Sequence, residues 1–282
     1  MVLESLVGPL SAEAKPIRMF WFGILFSSIA VILSLWIFKE QSSLIMVFLT
    51  VFACIPLLYK TIKYEEKKDD LVIKESKLLK EHGRALSYLM FLFLGFIVSL
   101  SLWYIFLPAE LTQTLFSAQL STIRSINSQI VGNFFHGSFF GQIFSNNVKV
   151  LLFCIFFSFF YGAGAIFILT WNASVISGAI GTFVRNNLGD YAGSLGLIKI
   201  AGYFHIFTFG FLKYMTHGVF EIAAYFAGGL AGGIISVAVI RHEVETKEFR
   251  RVLFDSIDLI ILAVVLLVVA AFIEVYITPS LF

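Results

Sequence analysis

The residues best suited to chemistry in this chain are a histidine and a glutamate inside an apolar run. His217 and Glu221 lie in the stretch 215–240, MTHGVFEIAAYFAGGLAGGIISVAVI, which is as long as a membrane span. Residues four apart share one face of a helix. An ionised acid at the centre of a span costs about 2.5–3.5 kcal/mol, so Glu221 is expected near the interface, neutral or paired. The pair is a candidate for binding a proton or a cation, and the alternative is a hydrogen-bonded pair that fixes the entry of the helix.

Four glycines follow this pair along the same run. Gly228, Gly229, Gly232 and Gly233 form two overlapping patterns of small residues spaced four apart. Such patterns let a second backbone approach an apolar helix closely. They predict tight helix packing, either within the chain or in a homodimer.

The composition indicates which elements must position these residues. The chain is 59% hydrophobic and 13% charged, with a mean hydropathy of +0.92. These values are typical of an all-α, polytopic bundle of transmembrane helices. The net charge of +2 is too small to suggest a nucleic-acid partner. Cys54 and Cys154 lie in apolar runs and are expected to be small packing residues.

Hydropathy and loop charge predict about seven spans, which are 18–39, 44–59, 86–107, 148–171, 194–214, 215–240 and 257–277. Each is close to the ~20 residues that a spanning helix needs. Pro56 is expected near the end of the second span, where it disrupts least. Residues 173–184 are too short to span and are predicted to form an interfacial or re-entrant piece.

The distribution of charge predicts the topology. Residues 60–84 carry the densest charge and are predicted to be a solvated cytoplasmic helix. Segment 108–147 has few basic residues and is predicted to be an outer loop with an amphipathic helix, lying on the leaflet or folded over the spans. The chain is therefore expected to be a multi-pass protein of the cell membrane, with its N-terminus in the cytoplasm and its C-terminus outside.

Two further histidines, His136 and His205, are candidate site residues. His136 has no second ligand at a useful spacing, which favours an ordinary surface histidine over a metal ligand. His205 is expected at mid-depth, where an ionisable residue is a candidate for function, although a neutral imidazole bonded to a neighbouring helix is the commoner case.

An ordered set of residues resembles the stage II sporulation protein M family, whose members are bacterial and archaeal membrane proteins. The set consists of Asn146-Asn147, Gly162-x-Gly164, Asn172 and His217-Gly218-x-x-Glu221. The chain departs from the pattern at Ala173, where the family usually has glycine. The resemblance implies a five-span core over 85–282, preceded by a two-span hairpin and charged helix over 1–84.

The resemblance also implies a function. The family's namesake resembles a scaffold that brings wall-remodelling enzymes to a membrane during spore engulfment. We therefore expect a membrane scaffold or remodelling component that packs with the lipid bilayer, with a second copy or with other membrane proteins. The alternative is a transporter of a small solute, ion or lipid that uses Glu221, His217 and His205 in a cavity.

An intramembrane hydrolase is the third alternative, and the sequence disfavours it. His217 and Glu221 are one ligand short of the usual three protein ligands of a catalytic zinc. No HExxH or GxSxG element is present in the sequence. No enzymatic activity, metal or cofactor is therefore expected.

Overall fold

The computed structural model describes residues 8–71, 75–131, 136–161, 164–188, 197–241 and 246–282. Gly162 and the side chain of His136 lie outside the described residues. Within these ranges the elements are helices, and none of them is a strand. The all-α prediction is confirmed.

The helices are numbered in chain order. They are α1 (Pro9–Ala14), α2 (Ile17–Ile37), α3 (Ser42–Leu71), α4 (Glu75–Phe106), α5 (Ala109–Leu115), α6 (Ser117–Val131), α7 (His136–Tyr161), α8 (Ala165–Asn187), α9 (Leu197–Arg241), α10 (Lys247–Phe272) and α11 (Thr278–Leu281). A 3₁₀ turn at Lys39–Gln41 precedes α3, and a π-helical segment, Ile273–Ile277, joins α10 to α11.

Seven of these helices are long and apolar enough to cross a membrane, namely α2, α3, α4, α7, α8, α9 and α10. The predicted number of spans is therefore confirmed. In a bilayer every backbone polar group must be satisfied within the protein, and a continuous helix does this by itself. The positions of several spans nevertheless differ from the prediction.

The predicted fourth span, 148–171, is wrong. Helix α7 ends at Tyr161, and α8 begins at Ala165 and continues to Asn187, through the predicted re-entrant piece 173–184. Polar residues lower the mean hydropathy of α8, but their side chains can form hydrogen bonds inside the protein. Ser177, for example, donates to the carbonyl of Ala173 at 2.7 Å and lies against the carbonyl of Ile97.

The predicted fifth and sixth spans are one helix, so their separation at residue 214 is also wrong. Helix α9 has 45 residues, which gives a length of about 68 Å at 1.5 Å per residue, twice the thickness of a bilayer core. The stretch contains no proline, and Gly210 is buried against the ring of Phe183. Packing against α8 therefore supports the helix where its sequence suggested a break.

The second span is longer than predicted, because α3 passes through Pro56 and continues to Leu71. Most of the predicted solvated helix 60–84 belongs to the ends of α3 and α4, and its described part includes the buried residues Glu65, Glu66 and His82. The interpretation as a solvated connector is wrong for these three side chains. Glu65 pairs with His82, and Glu66 pairs with Arg241 at the end of α9, so both acids have basic partners inside the protein.

The bundle is organised around α9, which packs against α10, α7, α8, α3 and α4. The span in α9 is 72% buried, against 22% for the span in α7. The glycines of α9 make this packing possible. A Cβ at Gly232 would lie 2.5 Å from the carbonyl oxygen of Ile155, and one at Gly233 would lie 2.8 Å from Ile62.

The other glycines of the pattern also face helices of the same chain. A Cβ added at Gly229 would lie 2.9 Å from that of Ala165, and Gly228 is covered by Leu151. The tight packing that the glycines predict therefore occurs within the monomer. A homodimer would therefore have to form through a surface other than these glycines.

Helices α5 and α6 fold over the spans, which is one of the two positions that the sequence left open. Gln119 of α6 accepts from Ser43 at 2.7 Å and donates to Ser174 of α8 at 3.1 Å. These bonds hold α6 against the bundle. Cys54 and Cys154 are free and buried, as expected of packing residues.

Candidate functional site

His217 and Glu221 lie in the middle of α9, and one helical turn separates them. They do not bond to each other. Each is directed to a different neighbouring helix, so the sequence pair becomes the centre of a wider polar group. We call Asn147, His217, Glu221, Glu274 and Thr278 the Glu221 cluster.

Asn147 of α7 is the direct partner of Glu221. Its Nδ2 donates to Oε1 of Glu221 at 2.5 Å, and the Asn147 side chain is buried. The adjacent Asn146 is exposed. A buried amide that donates to a carboxylate offsets part of the cost of removing that carboxylate from water. The bond fastens α7 to α9.

Glu274 supplies a second carboxyl group on a segment that packs against α9. It lies in the π-helical segment Ile273–Ile277, and insertion of a π turn changes the direction in which side chains leave a helix. No described basic side chain forms an ion pair with either acid. No motif links Glu274 to Glu221, which is 53 residues away in the chain, so sequence reasoning missed it.

His217 bonds to the C-terminal helix. Its Nδ1 lies 3.4 Å from Oγ1 of Thr278 in α11, a long hydrogen bond. Gly218 is buried beside it. One turn of α9 therefore contacts both α7 and α11.

His205 does not join the cluster. It lies twelve residues before His217 on α9, which is about 18 Å along the axis. It is exposed, and its ring stacks near that of Phe209, with 6.4 Å between the centroids. This placement does not support a cavity that His205 shares with Glu221.

Two further residues of the family-like set lie in or next to α8. Asn172 is inside this helix and not at the end of a span, and its buried Nδ2 has no hydrogen-bond partner among the described residues. Gly164 precedes α8, where a Cβ would lie 2.5 Å from the carbonyl oxygen of Phe157. This close contact explains why a glycine is needed where α7 gives way to α8.

The Glu221 cluster offers carboxylate, amide, hydroxyl and imidazole groups without a reactive thiol or an activated hydroxyl. Two acids that interact in an apolar bundle favour a shared proton or a bound cation, because two negative charges together are costly there. Within the described residues no group of three or more histidine, cysteine or acidic side chains could hold a metal ion. The cluster is suited to fastening helices and to binding a proton or a monovalent cation.

A second polar group lies at the C-terminal end of α9, about twenty residues after Glu221. We call Glu65, Glu66, His82 and Arg241 the Arg241 clamp. Arg241 Nη1 donates to Glu66 Oε2 at 2.5 Å, and His82 Nδ1 lies 2.8 Å from Glu65 Oε2. Both glutamates are fully buried. The clamp joins α3, α4 and α9, and sequence reasoning missed it because charge density alone suggested a solvated segment.

Comparison with known proteins gives the family. Residues 85–279 match the model of the family described as stage II sporulation protein M. An uncharacterised protein of Methanocaldococcus jannaschii is 28% identical over 192 residues, which cover 62% of this chain and 96% of that protein. No solved structure matches the chain. Since the family model covers more than half of the chain and includes Asn147, His217, Glu221 and Glu274, this protein belongs to the stage II sporulation protein M family.

Proposed function

We propose that the protein is an integral membrane scaffold that holds other membrane proteins, or a second copy of itself, and has no catalytic activity. The observation that carries this proposal is the use of polar groups inside the bundle. Asn147 and His217 each tie α9 to a neighbouring helix, and the glycines of α9 pack inside the same chain. Such contacts stabilise a frame and do not line a passage.

A scaffold also needs a face on which partners can dock. Helix α7 is the least buried span, and the described residues Leu152, Phe153, Phe156 and Phe160 are all more than half exposed on it. The rings of Phe156 and Phe160 lie 4.7 Å apart. This α7 face belongs to the family-matched region, and aromatic surfaces are favoured in helix contacts and interfaces.

The proposal includes the orientation in the cell membrane. Seven spans place the two termini on opposite sides. Lys60, Lys63, Lys67 and Arg241 lie at one end of the bundle, and a basic end favours the cytoplasmic side. The N-terminus is then cytoplasmic and the C-terminus outside.

Photo-crosslinking in native membranes tests the scaffold. A photoreactive amino acid replaces Phe153, which is 56% exposed on the α7 face, or Ala224, which is buried at the centre of the bundle. We expect Phe153 to yield a specific crosslink to a membrane protein or to a second copy, and Ala224 to yield none. Trp36 and Val265, on other exposed faces, are replaced for comparison. If Phe153 yields only lipid adducts, as these two positions do, the proposal is contradicted.

A second candidate is transport coupled to a proton or a monovalent cation, and one observation favours it. Glu221 and Glu274 interact without a basic partner among the described residues, which is an arrangement suited to binding and releasing a positive charge. Vesicles that contain the wild type or Glu274→Gln and enclose a pH-sensitive dye would test it. Flux in the wild type that Glu274→Gln abolishes would support transport, and no flux above protein-free vesicles would exclude a proton pathway.

A further inference from the structure

We infer that a basic cavity beside the Arg241 clamp binds the headgroup of an anionic phospholipid. The cavity has a volume of about 570 Å³, and its lining includes Leu10, Tyr59, Lys60, Lys63, Lys67 and Arg241. Helix α3 supplies one wall, and α1 and the last residue of α9 supply the others. This site is separate from the Glu221 cluster and does not depend on the proposed function.

The cations are arranged on one face. Lys60, Lys63 and Lys67 follow each other by three and four residues, so they lie along one side of α3. Lys63 Nζ lies 4.4 Å from the centroid of the Tyr59 ring, which holds the side chain beside the cavity. Arg241 approaches from α9, where Glu66 holds its guanidinium. Four cationic side chains thus converge on one volume.

The acids nearby do not line this cavity. Among the described lining residues none is acidic. Glu65 and Glu66 turn into the bundle, where they contact His82 and Arg241. Glu66 offsets the charge of Arg241, but Lys63 and Lys67 leave the α3 wall positive. A phosphate diester is the complementary group, since lysine and arginine bind phosphate oxygens strongly.

The apolar part of the lining favours a lipid over a soluble phosphate. Leu10 is 66% exposed and Tyr59 is 50% exposed, and both lie at the end of the spans, where acyl chains meet headgroups. Basic cavities between transmembrane helices at this level suit anionic headgroups. A phospholipid places its phosphate among the lysines and its chains beside α3.

Native mass spectrometry of the full chain in a neutral detergent tests this inference. Phosphatidylglycerol, phosphatidylcholine and inorganic phosphate are the probes. We expect tighter binding of phosphatidylglycerol than of the other two. Lys63→Gln/Lys67→Gln should weaken it about 30-fold, which corresponds to about 1 kcal/mol for each lysine. The charge-matched control is Lys247→Gln/Arg250→Gln, whose exposed side chains lie outside the cavity, and it should change binding little.

Every other result overturns the inference. Equal binding of both lipids would show that charge is not recognised, and an equal loss in the control would show a diffuse surface effect. Tight binding of inorganic phosphate alone would assign the cavity to a soluble anion. Circular dichroism checks the fold of each variant. If the double variant is unfolded, Lys67→Gln alone, at an exposed position, should still weaken binding several-fold, and an unchanged affinity would contradict the inference.

Discussion

The middle and the C-terminal end of α9 hold polar groups of opposite character. In the Arg241 clamp, acids meet bases, and each buried glutamate contacts a histidine or an arginine. In the Glu221 cluster, two acids lie near each other, and an amide donates to one of them. The comparison shows that polar groups inside this protein have two different roles. The clamp pairs each acid with a base and joins three helices, whereas Glu221 is bonded to an amide and has no ion pair among the described residues.

Breaking the clamp is expected to have the largest effect on stability. Arg241→Met removes the bond to the buried carboxylate of Glu66 from an arginine that is itself 36% exposed, so we expect a loss of about 2–3 kcal/mol. The unfolding temperature in neutral detergent should fall clearly. Arg241→Lys keeps the charge and should lose less. Equal stability of Arg241→Met and the wild type would show that the clamp does not hold the helices.

Disrupting the glycine packing between the Glu221 cluster and the Arg241 clamp is expected to have the second-largest effect on stability. In Gly232→Leu the new side chain collides with the backbone of Ile155, and overpacking of this kind costs about 1–3 kcal/mol. Thermal unfolding in detergent measures the loss. Gly141→Leu is the control, because nothing lies within 4 Å of a Cβ there. A similar loss in both variants would argue against specific packing at Gly232.

Loosening the Glu221 cluster is expected to cost less. Asn147→Leu removes the donor to Glu221, and because Glu221 is only half-buried we expect a loss of about 1 kcal/mol. The adjacent Asn146→Leu changes an exposed residue and should be close to neutral. If both variants unfold at the same temperature as the wild type, the contact between α7 and α9 contributes nothing measurable.

The long bond between His217 and Thr278 should matter least. Thr278→Val keeps the shape of the side chain and removes the hydroxyl that lies 3.4 Å from His217, so we expect a loss of about 0.5 kcal/mol. Ser280→Ala, at an exposed position in the same helix, is the control. A loss as large as that of Asn147→Leu would show that α11 is held more firmly than the distance indicates.

Hydropathy predicted the number of spans because each crossing needs about twenty apolar residues. It failed between 148 and 240, where Ser177 and other hydroxyls of α8 bond to backbone carbonyls and let a less apolar helix form. Helical spacing placed His217 and Glu221 one turn apart, but it did not predict that they contact different helices. The approach of Glu274 depends on a π-helical segment, and the pairs of the clamp join residues far apart in the chain. Neither feature follows from local sequence pattern.

We propose that the Glu221 cluster fastens helices of the bundle and carries no transported charge. Glu221→Gln tests it most directly, because an amide keeps the shape of the side chain and can still accept the bond from Asn147. We predict that this variant unfolds close to the temperature of the wild type, gives the same crosslinks from Phe153, and that neither protein moves protons across vesicles. A folded Glu221→Gln variant that loses a proton flux present in the wild type would contradict the account.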